Sequence, residues 1–239
     1  MPKVYSLIKP IKIAMDRVHE GNTNEHRTGT VASGLLNNYF PKEKYITTPE
    51  QTQLSNKRPD FTVERVEDDK LIPHLFVEVK SLINSNFNDI LDQLSGTILE
   101  TVDYMGIENN LAVFVIAMKG TKIAFYEYHS YVCLLEEYDL PNYKGFIPLG
   151  LNMTYQQFCE INSEYIADNP NSAIAEFGRH IFKVNVPSIK EKLIELKVES
   201  TSKLDHPHIW DLLNKEHENY VHELFMHTAN KIAGKDIKD

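Results

Sequence analysis

The stretch Arg58–Lys80, RPDFTVERVEDDKLIPHLFVEVK, constrains the fold more than any other part of the chain. Two apolar-rich runs, Phe61–Val66 and Leu71–Lys80, read as strands joined through the acidic turn Glu67-Asp68-Asp69-Lys70. Side chains two apart on a strand share a face. Glu78 and Lys80 therefore project to one side, and Leu75, Val77 and Val79 to the other. The second side is apolar and reads as core. The first carries a charged pair, and Asp60, at the start of the preceding strand, adds a second carboxylate. Two carboxylates beside an ammonium suit a hard divalent cation and a water aimed at a phosphate.

The flanks give this pair of strands a setting. Glu25 to about Phe40 reads as a helix ending before Pro41, with Val31, Leu35, Leu36 and Tyr39 in its apolar stripe. At about 100° per residue, Glu25, Gly29, Ala32 and Leu36 fall in one narrow arc. Glu25 then sits on the inward edge, above two small residues that allow close approach to a sheet. It also fits the bland role of a first-turn acid favoured by the helix dipole. Lys44–Thr48 is a candidate strand. Asp89–Met105 repeats apolar residues at helical spacing, Leu111–Met118 is a short continuous apolar strand, and Lys119-Gly120-Thr121 turns into a further strand at Lys122–His129.

The ends of the chain read differently. Residues 1–20 are expected to form a short strand or extended arm, with Pro10 breaking any early helix, followed by a turn of helix around Ala14–His19. Val132–Glu136 and Gly145–Leu149 are candidate edge strands. Tyr155–Ala167, Ser172–Phe182, Ser188–Leu196 and Ile209–Ala233 are candidate helices separated by Pro170, Pro187 and Pro207. The expected organisation is a core over residues 1–150 with an N-terminal arm, and a helical C-terminal extension over 151–239 packed on that core.

Composition narrows the class. Two cysteines, Cys133 and Cys159, make no disulfide framework, and no stretch resembles a signal peptide, so an intracellular location is expected. No apolar run approaches the roughly 20 residues of a membrane span. The net charge of −9 argues against a general nucleic-acid binder, yet residues 1–58 hold nine Lys/Arg against five Asp/Glu, or +4, leaving −13 for the rest. Lys42, Lys44, Lys57 and Arg58 are candidate phosphate contacts, or else a solvated basic face.

A helix, three strands, a helix and a buried strand is the core order of the PD-(D/E)xK, or restriction endonuclease-like, nuclease superfamily. The chain resembles a member of it over roughly residues 25–130, with the motif standing as Pro59-Asp60 and Glu78-Val79-Lys80. The resemblance implies an α/β fold, a central mixed β-sheet flanked by helices in α-β-β-β-α-β order. It implies Asp60 and Glu78 as ligands of Mg²⁺, with Mn²⁺ substituting, and the main-chain carbonyl of Val79 as a further oxygen. Lys80 would orient or help deprotonate the attacking water. Glu25 occupies the place of an acid that many members carry on the first helix, and Gln93 a place where several keep a glutamine. The implied function is metal-dependent hydrolysis of nucleic acid, with DNA ahead of RNA. The alternative is a catalytically silent fold of the same kind serving as a protein or nucleic-acid interaction module. A third reading is an ordinary surface Glu-x-Lys in an unrelated α/β fold.

Other signals are weaker. His206, His208, His217, His222 and His227 lie near the C-terminus, but the helical spacing of five rotates successive imidazoles about 140° apart and disfavours a zinc pair. Phe125, Tyr126, Tyr128, Tyr131, Tyr138, Tyr143 and Phe146 form an aromatic-rich segment that reads as packing before base stacking. An apolar edge strand or the C-terminal helix offers a route to a homodimer.

Overall fold

The acidic turn does what its residues allow. Asp68 (φ 48°) and Asp69 (φ 59°) both adopt the left-handed conformation, the backbone of a two-residue primed turn that Asp tolerates better than most side chains. It joins strands β2 (Phe61–Glu67) and β3 (Lys70–Lys80), which pair antiparallel. The computed structural model describes residues 2–19, 25–49, 59–82, 87–105, 112–129, 146–149 and 209–233.

Around this hairpin lies a mixed sheet of seven strands. β1 (Tyr45–Pro49) pairs antiparallel with β2, and β3 pairs parallel with β4 (Ala112–Lys119). β4 and β5 (Lys122–His129) are antiparallel, and the outer edge of β5 carries both β6 (Phe146–Pro148) and β7 (Trp210–Asp211). A parallel pair needs a crossover. Helix α3 (Phe87–Met105) supplies it between β3 and β4. Helices α1 (Lys9–His19), α2 (Glu25–Tyr39) and α4 (Glu218–Asn230) complete the layers, giving the order α2-β1-β2-β3-α3-β4 through the middle of the chain.

Each face of the sheet has its own core. Val31, Leu35 and Leu36 of α2 and Leu224 and Phe225 of α4 bury against Leu75, Val77 and Val79 of β3 on one side. On the other, Ile90, Leu94 and Ile98 of α3 pack with Phe76 of β3. The central strand β4 divides cleanly, with Phe114, Ile116 and Met118 toward α2 and Val113, Val115 and Ala117 toward α3. Its continuous apolar run is the run of a strand covered twice. Phe125 joins the first core, and Tyr126, Tyr128 and Phe146 the second, so the described part of the aromatic-rich segment is packing.

Two expectations are overturned. Residues 9–19 form an 11-residue helix rather than an arm broken at Pro10. Pro10 is its second residue, where the N–H has no acceptor within the helix and its loss costs nothing. Ile11, Met15 and Val18 bury against the core, and Gly34 lets α1 approach α2, since a Cβ there would lie 3.1 Å from Ile11 Cγ1.

Residues 209–233 are likewise not one helix. Trp210 and Leu212 follow strand spacing and bury, and β7 joins the sheet. Asp211 Oδ1 then accepts from the Leu213 N–H at 3.0 Å, and Asn214 Oδ1 from the Glu216 N–H at 3.0 Å. Such local side-chain bonds compete with helix and hold α4 back to Glu218. Both β7 and α4 share one hydrophobic cluster with residues from the first 150. The apolar face of α4 is consumed there, through Tyr220, Val221, Leu224 and Phe225.

Gly145–Leu149 contains β6, whereas Val132–Glu136 and the expected helices between 155 and 196 lie outside the described residues. Among the described residues, no helix is long and apolar enough to cross a membrane.

Candidate active site at the end of strand β3

The position of the site is set by a bulge. Val63 pairs with Leu75, but Glu64 pairs with Pro73, so β3 has one residue, His74, more than β2. Pro73 lacks the N–H that regular pairing would use, and a strand tolerates proline at such an irregularity. The extra residue shifts the alternation that follows. Leu75, Val77 and Val79 turn to the α2 side, and Phe76 turns to α3. Glu78 and Lys80 continue the Phe76 series.

His74 itself is buried among Tyr45, Phe114 and Phe40, with ring centroids 5.1, 5.5 and 6.0 Å away. Its Nε2 donates to the Thr228 carbonyl at 2.7 Å. Burial pulls its pKa down to about 4, against the opposing effect of that hydrogen bond, so the ring is neutral.

The carboxylates come together at the other end of the strand. Pairing of β2 with β3 starts at Phe61 opposite Val77, which leaves the Val79 N–H beyond the end of β2. Asp60 fills that gap, with Oδ2 accepting from the Val79 N–H at 2.7 Å. This fixes the Asp60 side chain beside Glu78. Glu78 is only 1 % exposed. Its Oε1 accepts from Lys80 Nζ at 2.5 Å, while Oε2 is buried with no hydrogen-bond partner among the described residues. Burial, reinforced by the Asp60 charge, pushes the Glu78 carboxyl up to about 7 despite the pull of Lys80.

Helix α2 brings the third acid. A Cβ on Gly29 would lie 4.0 Å from Val79 Cγ2, so the helix rides in van der Waals contact over β3. One turn earlier, Glu25 Oε1 reaches to 3.8 Å from Lys80 Nζ. Burial works against the Lys80 charge, but the hydrogen bond to Glu78 and the charges of Glu78, Glu25 and Asp60 outweigh it and raise its pKa. The ammonium is thus the hub of the cluster.

Asp60, Glu78, Lys80 and Glu25 therefore occupy one site. Gln93 is half-buried on α3, where its main-chain carbonyl accepts from Thr97 Oγ1 at 3.1 Å. Lys57 and Arg58 lie outside the described residues. Sequence reasoning missed the Asp60–Val79 bond and the bulge, although Pro73 inside a strand-like run was a readable sign of the latter. The described C-terminal histidines are structural. Tyr39 Oη pairs with His222 Nδ1 at 2.8 Å, and the Asp211 N–H donates to His217 Nδ1 at 2.9 Å.

The residues present fit a hard cation. Their donors are carboxylate oxygens, and one of these is buried and unsatisfied, which is costly unless a partner arrives. Among the described residues, no group of three or more His, Cys, Asp or Glu side chains forms a ready cage. A pair of carboxylates is the ligand set that Mg²⁺ ordinarily takes, with water and substrate phosphate completing its sphere.

No protein-family model matches the chain. No curated protein matches it. Among solved structures, a chain of the DrdV–DNA complex determined by cryoEM is similar at 15% identity, covering 53% of this chain and 87% of that one, with a TM-score of 0.33. So slight a likeness carries neither fold nor function.

Proposed function

We propose that the protein is a metal-dependent nuclease of the PD-(D/E)xK type, hydrolysing phosphodiester bonds in nucleic acid, with DNA ahead of RNA. The observation that carries this reading is Glu78. A buried carboxylate with one oxygen bound to lysine and the other unsatisfied, beside a second carboxylate, has a valence left for a cation. The order α2-β1-β2-β3-α3-β4 around Asp60, Glu78 and Lys80 supports the same assignment.

Asp60 and Glu78 would hold Mg²⁺ or Mn²⁺, with the Val79 carbonyl as a further oxygen ligand. When bound, the ion supplies polarisation of the phosphate and acidification of a water molecule. Asp60 is positioned for this by the Val79 N–H, which restrains its carboxylate against rotation. Lys80 is held as an ammonium by its three acidic neighbours. In that state it steadies Glu78 and offers positive charge to the phosphate; deprotonating a water would require a cation to offset those neighbours. Glu25 balances Lys80 from the opposite helix.

The test is cleavage of labelled duplex DNA, single-stranded DNA and RNA in Mg²⁺ and in EDTA. Wild type is expected to cut only with the ion, and Asp60→Ala and Lys80→Ala are expected to be inactive while keeping the wild-type circular dichroism spectrum. Equal cutting by all three proteins, with contaminating nuclease excluded, sinks the reading. Uncut substrate together with no Mg²⁺ or Mn²⁺ binding favours the silent interaction module instead.

A further inference from the structure

The catalytic end of the sheet carries two more cations that the reading above does not use. In the parallel pairing of β3 and β4, Lys80 stands opposite Lys119. In the antiparallel pairing of β4 and β5, Lys119 stands opposite Lys122. Alternation places all three on one side. Phe76, then Val113, Val115 and Ala117, then Ala124, Tyr126 and Tyr128 all face the α3 core, and Lys80, Lys119 and Lys122 continue those series. Neighbouring strands lie about 4.8 Å apart, so the three lysines form a row about 10 Å long across three strands.

A row of like charges on directly opposed positions is unfavourable in itself. Lys80 is neutralised by Glu78 and Glu25. Lys119 and Lys122 have no ion pair among the described residues, and Lys122 is exposed; Asp211, opposite Lys122 on β7, instead accepts from the Leu213 N–H at 3.0 Å. The turn that carries them is nonetheless firmly held. The Gly120 N–H donates to the Lys80 carbonyl at 3.2 Å, and the Thr121 carbonyl accepts from the Leu212 N–H at 2.9 Å. Gly120 has φ +62°, and a Cβ there would meet Leu82 Cδ1 at 3.0 Å, so the turn is closed against the segment that follows β3. Two ammonium groups outside any ion pair among the described residues, on a turn held by backbone hydrogen bonds and lying one strand and two strands from the proposed metal ligands, make a surface fitted to a polyanion entering the site.

We infer that Lys119 and Lys122 form a phosphate-binding rail that seats the nucleic-acid backbone beside the scissile bond. The inference rests on the nuclease reading of Asp60, Glu78 and Lys80. In it, the two lysines are binding residues and touch no reacting atom. Positive charge concentrated here would let a chain of net charge −9 engage a polyanion through one local patch.

Binding and cleavage separate the inference from the reading beneath it. Fluorescence anisotropy with a labelled DNA duplex, in EDTA and over a series of KCl concentrations, measures seating without cutting. Lys119→Gln/Lys122→Gln is expected to weaken binding about tenfold or more at moderate salt and to lower the slope of log K against log salt by about two. Lys119→Arg/Lys122→Arg keeps the charge and is expected to bind like wild type. In Mg²⁺, the Gln pair is expected to raise KM while leaving kcat nearly unchanged. An unchanged salt slope, an Arg pair as weak as the Gln pair, or a wild type that does not bind duplex overturns the rail. Normal rail behaviour in a protein that never cuts removes only the nuclease reading.

Discussion

His74 and Glu78 are four residues apart on one strand, and both are almost wholly buried, at 2 % and 1 % exposure. The fold treats them in opposite ways. His74 is neutral, ringed by aromatic side chains, and hydrogen-bonded to the Thr228 carbonyl. Glu78 keeps a carboxylate oxygen without a partner among the described residues, next to another acid that makes its charge costlier. Burying a polar group is ordinary when the protein itself completes its bonding. Burial with a bond left open, at the end of a strand where other charges gather, marks a group kept for something else. The contrast separates architecture from chemistry within five residues.

The largest expected effect falls on the chemistry. Glu78→Gln keeps the shape, removes the buried charge, and is expected to cut metal-dependent cleavage about a thousandfold, with a thermal midpoint at or above wild type. A large fall in stability would show that Glu78 is structural after all. His74→Ala should behave the other way round. It leaves a cavity and an unsatisfied Thr228 carbonyl, and is expected to cost about 3 kcal/mol in urea unfolding, while the folded fraction cleaves normally.

The two groups also oppose each other in pH. The His74 pKa is depressed in the fold, from 6.5 to about 4, so the unfolded chain binds more protons and its stabilising contribution is lost as pH falls through that window. The Glu78 pKa is raised, from 4.5 to about 7, so its contribution is present below 4.5 and lost as pH rises toward 7. Between about pH 4.5 and 6.5 the slopes counteract each other in the metal-free protein. With divalent ions chelated, Glu78→Gln is expected to make stability rise with pH there, by at most about 1.4 kcal/mol per pH unit, and His74→Ala to make it fall. Parallel curves for the two variants would break the comparison. The smallest effect belongs to Tyr45→Phe, which loses only the bond from Tyr45 Oη to the Ala229 carbonyl at 2.6 Å. A cost of about 1 kcal/mol with unchanged cleavage would place Tyr45 with His74 as architecture.

How much of this was legible in the sequence follows from how local each cause is. Helix α2, the α3 crossover and the doubly covered strand β4 declare themselves through apolar spacing alone, and counting turns above Gly29 sets Glu25 on the edge of α2 from which it reaches 3.8 Å from Lys80 Nζ. Asp60 and Glu78 were nominated by their positions on two strand-like runs. What stayed hidden is tertiary. Nothing near His74 states that Thr228 will be its acceptor, and the bulge depends on how β2 and β3 settle against each other. Pro10 misled because proline breaks a helix from within and starts one from its first turn. Trp210 and Leu212 misled because a two-residue strand exists only where β5 offers an edge.

The lacing of residues 209–233 into the sheet also sets a clock for synthesis. Tyr5 Oη donates to the Leu212 carbonyl at 3.1 Å, His74 reaches Thr228 and Tyr45 reaches Ala229, so the earliest elements find their partners only after more than two hundred residues have been made. Until α4 has left the ribosome, the α2 side of the sheet has an open apolar floor. Contacts of such sequence separation form slowly, and a chain in this interval exposes the surface that draws in chaperones and neighbouring chains. A nascent chain of this design therefore completes its sheet and the α2-side core only once β7 and α4 have emerged.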